Sequence, residues 1–412
     1  MSTGSDRISD TVVKPAPRGR NPFDESGVER GADGIARYVD RPESLVHLLR
    51  ASVERDAEAT ALLEVGGPSV SYGELWDRAA RVAGGLRGAG VQRDDRVAIR
   101  MANGIDWVLA FFGAQLAGAI VVPVNTRFTD DEVAYVVGDS GAAFTFSPGD
   151  SLPDGEPVVV DDLQPDDLAA IFYTSGTTGF PKGAMTSHAN FTTNSENAFR
   201  CLSADRSEGP GISTLIGVPL FHVTGCNSQL IPVLEFGGRV EILSNPLDLD
   251  GFFTAVGDHG INQLVSVPAI YHAVMRHPRF AELDVSRVRW ISYGGAPIAE
   301  SLVHAIKDAF PNARVGNGFG LTETSSLTSF LPHEEAAEHA DSVGFAMPVV
   351  DLALDEPDAD SGVGELLVRG PNVVRGYWQK PDATAETFVD GWLHTGDLAR
   401  IDDEGMLYIV DR

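Results

Sequence analysis

Thirteen residues, Tyr173 to Met185, concentrate the groups that bind phosphate. They read YTSGTTGFPKGAM and contain Gly176, Gly179 and Gly183, the hydroxyls of Thr174, Ser175, Thr177 and Thr178, and Lys182. Glycines let backbone N–H groups converge on an anion, hydroxyls add donors, and lysine adds a point charge. The chain has only four lysines, Lys14, Lys182, Lys307 and Lys380, so one inside this loop is hard to read as surface decoration. DLAAIFY (Asp167–Tyr173) has strand length, and SHANFTTNSENAF (Ser187–Phe199) can continue as a helix, which predicts a strand–loop–helix phosphate cradle. No G-x-x-x-x-G-K-[ST] pattern can be laid over the loop, so it is not a Walker P-loop.

Four other strings could serve the same chemistry. Pro219–Gly225 reads PLFHVTG, Tyr293–Pro297 YGGAP, Asn317–Thr324 NGFGLTET and Trp392–Leu398 WLHTGDL. With the loop, in this order and across most of the chain, they resemble the adenylate-forming superfamily, above all bacterial fatty-acyl and aryl-CoA ligases. The resemblance implies an α/β fold: the large N-terminal domain of adenylate-forming enzymes, with two helix-flanked β-sheets and a small distorted β-barrel subdomain. It implies an ATP-dependent carboxylate–CoA ligase, in which the acid and ATP give acyl-AMP and pyrophosphate and the CoA thiol then displaces AMP. Bringing two anions together requires positive charge and a metal, and Mg2+ needs only one or two carboxylates besides phosphate and water. Two readings stay open beside this one: an acyl-AMP ligase that loads a carrier protein, and a non-catalytic nucleotide- or acyl-binding fragment.

The resemblance also implies roles. Lys182 with Thr174, Ser175, Gly176, Thr177, Thr178 and Gly179 matches the cradle of the β/γ-phosphates. Glu323 matches a magnesium-binding glutamate, and Thr322 the hydroxyl that contacts the α-phosphate. Gly294, Gly295, Ala296 and Pro297 match the adenine edge. Asn317, Gly318 and Gly320 belong to the same ATP site, and Phe319 matches the aromatic on which adenine stacks, where many relatives carry tyrosine. Asp397 matches a carboxylate that accepts from both ribose hydroxyls, and Arg412 a ribose-contacting arginine at the domain junction. His222 matches a histidine beside the reacting carboxylate and, with Val223, Thr224, Gly225 and Gly320, marks the acyl pocket. Taken singly, these residues have plainer readings: a helix-start acid for Glu323, a core ring for Phe319, a turn aspartate for Asp397, a core histidine for His222. Relatives continue past the match of Arg412 into a smaller C-terminal domain carrying a lysine that bridges acid and ATP. No lysine here stands in that context, so the chain is expected to be cut at the hinge and to be largely inactive on its own. Which acid it takes is not readable.

These residues need a scaffold. At 412 residues the chain suggests two or three subdomains. The expected division is a disordered tail over 1–42, an α/β core over 43–342 and a β-rich subdomain over 343–412. Ser71 with Glu74, and Thr129 with Glu132, form capping boxes that open helices. Helix and strand then alternate as in parallel α/β layers. Trp107–Thr126 carries no charge over twenty residues, but Gly118 and Pro123 punctuate it. It parses as a helix followed by a buried strand rather than a membrane span. The acidic stretch 147–167 reads as a solvated linker around one short strand, and Asp161, Asp162, Asp166 and Asp167 as its exposed face rather than a metal site. A net charge of −28 argues against nucleic acid and against a polybasic membrane anchor. ATP must then meet locally positive groups on a repulsive body. Two cysteines without metal or disulfide spacing, and no apolar segment in residues 1–40, suit the cytoplasm. A homodimer is left open.

Overall fold

The computed structural model describes residues 13–174, 180–245 and 247–411. Two sheets organise the chain. The first has five strands, in the order Ala142–Phe146, Arg96–Ile99, Ile120–Pro123, Leu168–Thr174, Lys182–Ser187. All neighbours are parallel except the last pair, which is antiparallel. The second sheet has a parallel centre: Thr60–Glu64, Arg239–Ile242, Ser213–Ile216, Gln263–Ser266, Trp290–Gly294 and Arg314–Phe319. From Ser329–Leu331 onward it turns antiparallel, and the strands between 344 and 411 extend it without a break. The β-rich end of the sequence is therefore hydrogen-bonded edge-on to the α/β part.

Both capping boxes form, at the starts of the helices Tyr72–Gly88 and Asp130–Ser140. The uncharged stretch divides into the helix Ile105–Leu116 and the strand Ile120–Pro123. That helix is buried on every side but Asp106, as an all-round apolar helix in a large core should be. No helix among the described residues is long and apolar enough to cross a membrane.

Four expectations need correction. The tail is not disordered from residue 13 onward: Val28–Arg30 and Ala36–Tyr38 pair as a hairpin. Arg30 grips the buried Asp351 with both terminal nitrogens, at 2.8 and 2.9 Å, so remote ion pairs order a segment that lacks periodicity of its own. The phosphate loop does not lead into a helix. It returns as the strand Lys182–Ser187, paired along Leu168–Thr174, and the helix His188–Cys201 begins only after Ser187 caps it. Stretch 147–167 contains no strand, although Asp161, Asp162 and Asp166 are exposed as expected, with Asp161 paired to Arg50 and Asp162 and Asp167 to Arg93. Finally, Asn317, Gly318 and Phe319 lie on the strand Arg314–Phe319, which sequence patterning passes over because GNG interrupts it.

Candidate active site

In parallel α/β sheets, ligands gather at the carboxyl ends of the strands. Thr174 ends Leu168–Thr174, Gly294 ends Trp290–Gly294, Phe319 ends Arg314–Phe319, and the PLFHVTG turn follows Ser213–Ile216. Within the second sheet, Tyr293 lies opposite Asn317 and Gly294 opposite Gly318. Glycine is required at 294, where a Cβ would stand 2.3 Å from the Gly318 carbonyl oxygen. Gly295, Ala296 and Pro297 are exposed just beyond, leaving backbone open to a flat ligand, and Phe319 is half-buried beside them.

Lys182 and Glu323 come from different sheets and meet on one side chain. Lys182 Nζ sits 4.5 Å from the centre of the Tyr377 ring, and Tyr377 donates its hydroxyl to Glu323 Oε1 at 2.7 Å. Tyr377 was not singled out by its sequence context. The only signal was the aromatic pair Tyr377–Trp378 in a turn-rich stretch. Thr174 donates weakly to the Lys182 carbonyl, 3.4 Å away. Ser175, Gly176, Thr177, Thr178, Gly179 and Arg412 lie outside the described residues.

The turn that carries Thr322 and Glu323 is strained and heavily braced. Ser325 and Ser326 have φ of 56° and 107°, which side-chain-bearing residues rarely adopt. Gly320 passes so close to the Ser326 carbonyl that a Cβ there would lie 1.3 Å from its oxygen. Side chains from three other segments fix the turn. Asn194 accepts the Leu327 N–H at 2.8 Å and donates to the Asn227 carbonyl. Asn227 donates to the Ser325 carbonyl, Ser228 to the Ser326 hydroxyl, and Asn372 to the carbonyls of Thr324 and Leu327. Asn194 belongs to the helix His188–Cys201, whose polar sequence suggests a surface position but which is almost wholly buried.

His222 opens a short helical turn, Val223–Gly225, that runs into a π-helical turn, Cys226–Leu230. Such turns are rare and frequent at functional sites. Val223 is buried, whereas His222 and Thr224 reach solvent. Surrounding atoms, and next the charge of Arg127, lower the His222 pKa, so the ring is neutral at pH 7. Cys226 is fully buried, and burial pushes its thiol well up, so it offers no nucleophile. Asp397 is buried in the strand Trp392–Ile401, its N–H held by the Thr395 hydroxyl at 3.1 Å. Glu365 braces the same turn, accepting from the Gly396 N–H and contacting His394.

A cavity of about 580 Å3 lies away from these groups, at the amino-terminal ends of Ser213–Ile216 and Arg239–Ile242. Its Arg239 and His259 are paired with Glu241, and its Arg289 with Glu208. It does not compete with the carboxyl-end site for the chemistry.

A carboxylate turn, a glycine-lined strand pair and Lys182, gathered at the carboxyl-end side of two sheets, suit an α/β enzyme that handles a nucleotide. The family model described as "AMP-binding enzyme" matches residues 49–158 and 147–378, and the chain belongs to this family. It is 35% identical over 373 residues to feruloyl-CoA synthase of an Amycolatopsis species, covering 84% of this chain and 74% of that one. It is 30% identical over 438 residues to a long-chain-fatty-acid–CoA ligase of Salmonella typhimurium, covering 90% and 77%. Among solved structures it resembles the inhibitor-bound N-terminal domain of FACL13 from Mycobacterium tuberculosis. There the TM-score is 0.82 at 28% identity, over 90% of this chain and all of that one.

Proposed function

We infer that this chain is an ATP-dependent acid–CoA ligase, and that Lys182, Thr322 and Glu323 are the core of its adenylation site. The carboxylate oxygen attacks the α-phosphorus of ATP, the bond to the bridging oxygen breaks, and pyrophosphate leaves. The CoA thiol then attacks the acyl carbon of acyl-AMP, loses its proton and expels AMP. The carrying observation is the convergence of Lys182 and Glu323, from two sheets, on one tyrosine ring. In this reading Lys182 and the loop hydroxyls hold the leaving phosphates, and Thr322 contacts the α-phosphate. The Gly294–Pro297 edge and Phe319 take the adenine, Asp397 the ribose hydroxyls, and neutral His222 faces the acid.

Glu323 fits a magnesium ion. Its carboxylate is half-exposed, Oε1 is hydrogen-bonded, and a hard oxygen donor is what Mg2+ takes. Bound there, the ion would neutralise phosphate charge as pyrophosphate departs. The named relatives act on an aromatic acid and on fatty acids, so both classes are candidate substrates. Two buried free cysteines suit a reducing cytoplasm.

The test is acid-dependent ATP–pyrophosphate exchange over a panel of cinnamic and fatty acids by a chain extended through the smaller C-terminal domain with its lysine, followed by acyl-CoA formation. Exchange with one class and thioester with free CoA are expected. Exchange with no acid would overturn the reading, and transfer only to a loaded carrier protein would replace CoA as acceptor.

A further inference from the structure

The segment 374–378 is tied by its backbone to both halves of the site. Val374 N–H donates to the Glu323 carbonyl at 2.9 Å. Met185 N–H donates to the Gly376 carbonyl at 3.0 Å, and Trp378 N–H to the Gly183 carbonyl at 2.7 Å. Tyr377 thus runs alongside the strand that begins at Lys182 and beside the turn that carries Glu323. Its N–H is held by the Thr384 hydroxyl at 2.9 Å, and its ring packs edge-on against Phe388 at 5.7 Å. The side chain is 5% exposed, so it has little freedom to leave.

We propose that Tyr377 is a positioning residue that keeps Lys182 and Glu323 from neutralising each other, so that one remains available to phosphate and the other to the metal. The ammonium lies over the face of the ring and the carboxylate at its hydroxyl, and lysine's flexible stem would let the two pair if the ring were lost. The neighbouring lysine shows that outcome: Lys380 is bound to Asp139 at 2.6 Å. Lys182 instead rests on the π face, which attracts a cation without cancelling its charge. The hydroxyl fixes Glu323 through Oε1, which leaves coordination of a cation to Oε2.

The proposal rests on the nucleotide-site reading, and its test separates the two. Binding of ATP to the full chain is measured by calorimetry, with excess Mg2+ and with EDTA, beside Lys182→Ala and Glu323→Gln as references. Tyr377→Phe keeps the ring and loses the hydroxyl. It should bind ATP in EDTA like wild type but lose about tenfold of the strengthening given by Mg2+. Tyr377→Leu removes the spacer and should also weaken ATP binding in EDTA, as Lys182 pairs with Glu323. Adding Glu323→Gln to Tyr377→Leu should restore that EDTA affinity, which a general packing defect would not allow. Wild-type magnesium dependence in Tyr377→Phe, or no recovery in the double variant, overturns the proposal. If Tyr377→Leu does not fold, the Phe variant decides alone. Unchanged Mg·ATP binding in both reference variants would instead sink the site reading itself.

Discussion

The residues that matter most to this site are held by neighbours whose types give little away. Asn194 and Asn372 look like ordinary polar residues, yet Asn372 pairs two carbonyls of the strained turn behind Glu323, and Asn194 ties that turn's Leu327 N–H to the Asn227 carbonyl. Removing such a side chain leaves buried N–H or C=O groups unpaired, which costs about 1–3 kcal/mol. Asn194→Ala and Asn372→Ala should therefore each lower unfolding free energy by about that amount in urea titrations, and weaken Mg·ATP binding as the turn relaxes. A drop in stability with binding untouched would mean that the turn's geometry does not depend on this bracing. Gly294 makes the complementary case. Gly294→Ala forces a methyl against the Gly318 carbonyl, and overpacking of this kind costs about 1–3 kcal/mol. Loss of nucleotide binding should accompany it, because the strand pair must part.

At the scale of elements, the sequence was a good guide wherever local chemistry decides. Capping boxes fixed the starts of Tyr72–Gly88 and Asp130–Ser140, and Gly118 and Pro123 divided the uncharged stretch into the helix Ile105–Leu116 and the strand Ile120–Pro123. It was a poor guide where remote partners decide. The helix expected over Ser187–Phe199 forms as His188–Cys201, but its string of polar residues gives no sign that Asn190 and Asn194 serve distant carbonyls or that Glu196 is buried against Arg200 and Arg206. The loop's strand-to-strand return was hidden because KGAMTS has no clean alternation. The motif strings could be found from their residues, but Tyr377 became visible only once two sheets were folded together. Glu235 gives this scale a pH test. It ends the helix Ile231–Glu235, and burial pushes its pKa up to about 7 from 4.5. A raised folded-state pKa means stability that is complete below pH ~4.5 and is lost as pH rises through ~7. Glu235→Gln should remove that loss, so wild type falls behind the variant by roughly 1–3 kcal/mol between pH 5 and 8 in thermal or urea melts. Parallel curves for the two proteins would refute it.

For the molecule as a whole, charge and topology have separate consequences. A body of net charge −28 repels ATP at long range, while in the proposed site Lys182 would attract it only at short range. The Debye length falls from about 30 Å at 0.01 M salt to about 8 Å at 0.15 M, so salt screens the repulsion first. ATP association should therefore speed up by roughly twofold or more over that range in stopped-flow measurements, opposite to the behaviour of a steered anion site. The topology bears on the chain's behaviour in a crowd. Lys182–Ser187 is the outermost strand of its sheet, and the residues beside Tyr377 satisfy its free backbone groups from outside. An uncovered edge is a template on which another chain can add a strand. The same few residues that index the nucleotide site thus serve as a guard against intermolecular pairing. A variant in which they come loose should first betray itself by concentration-dependent self-association, before its core begins to melt.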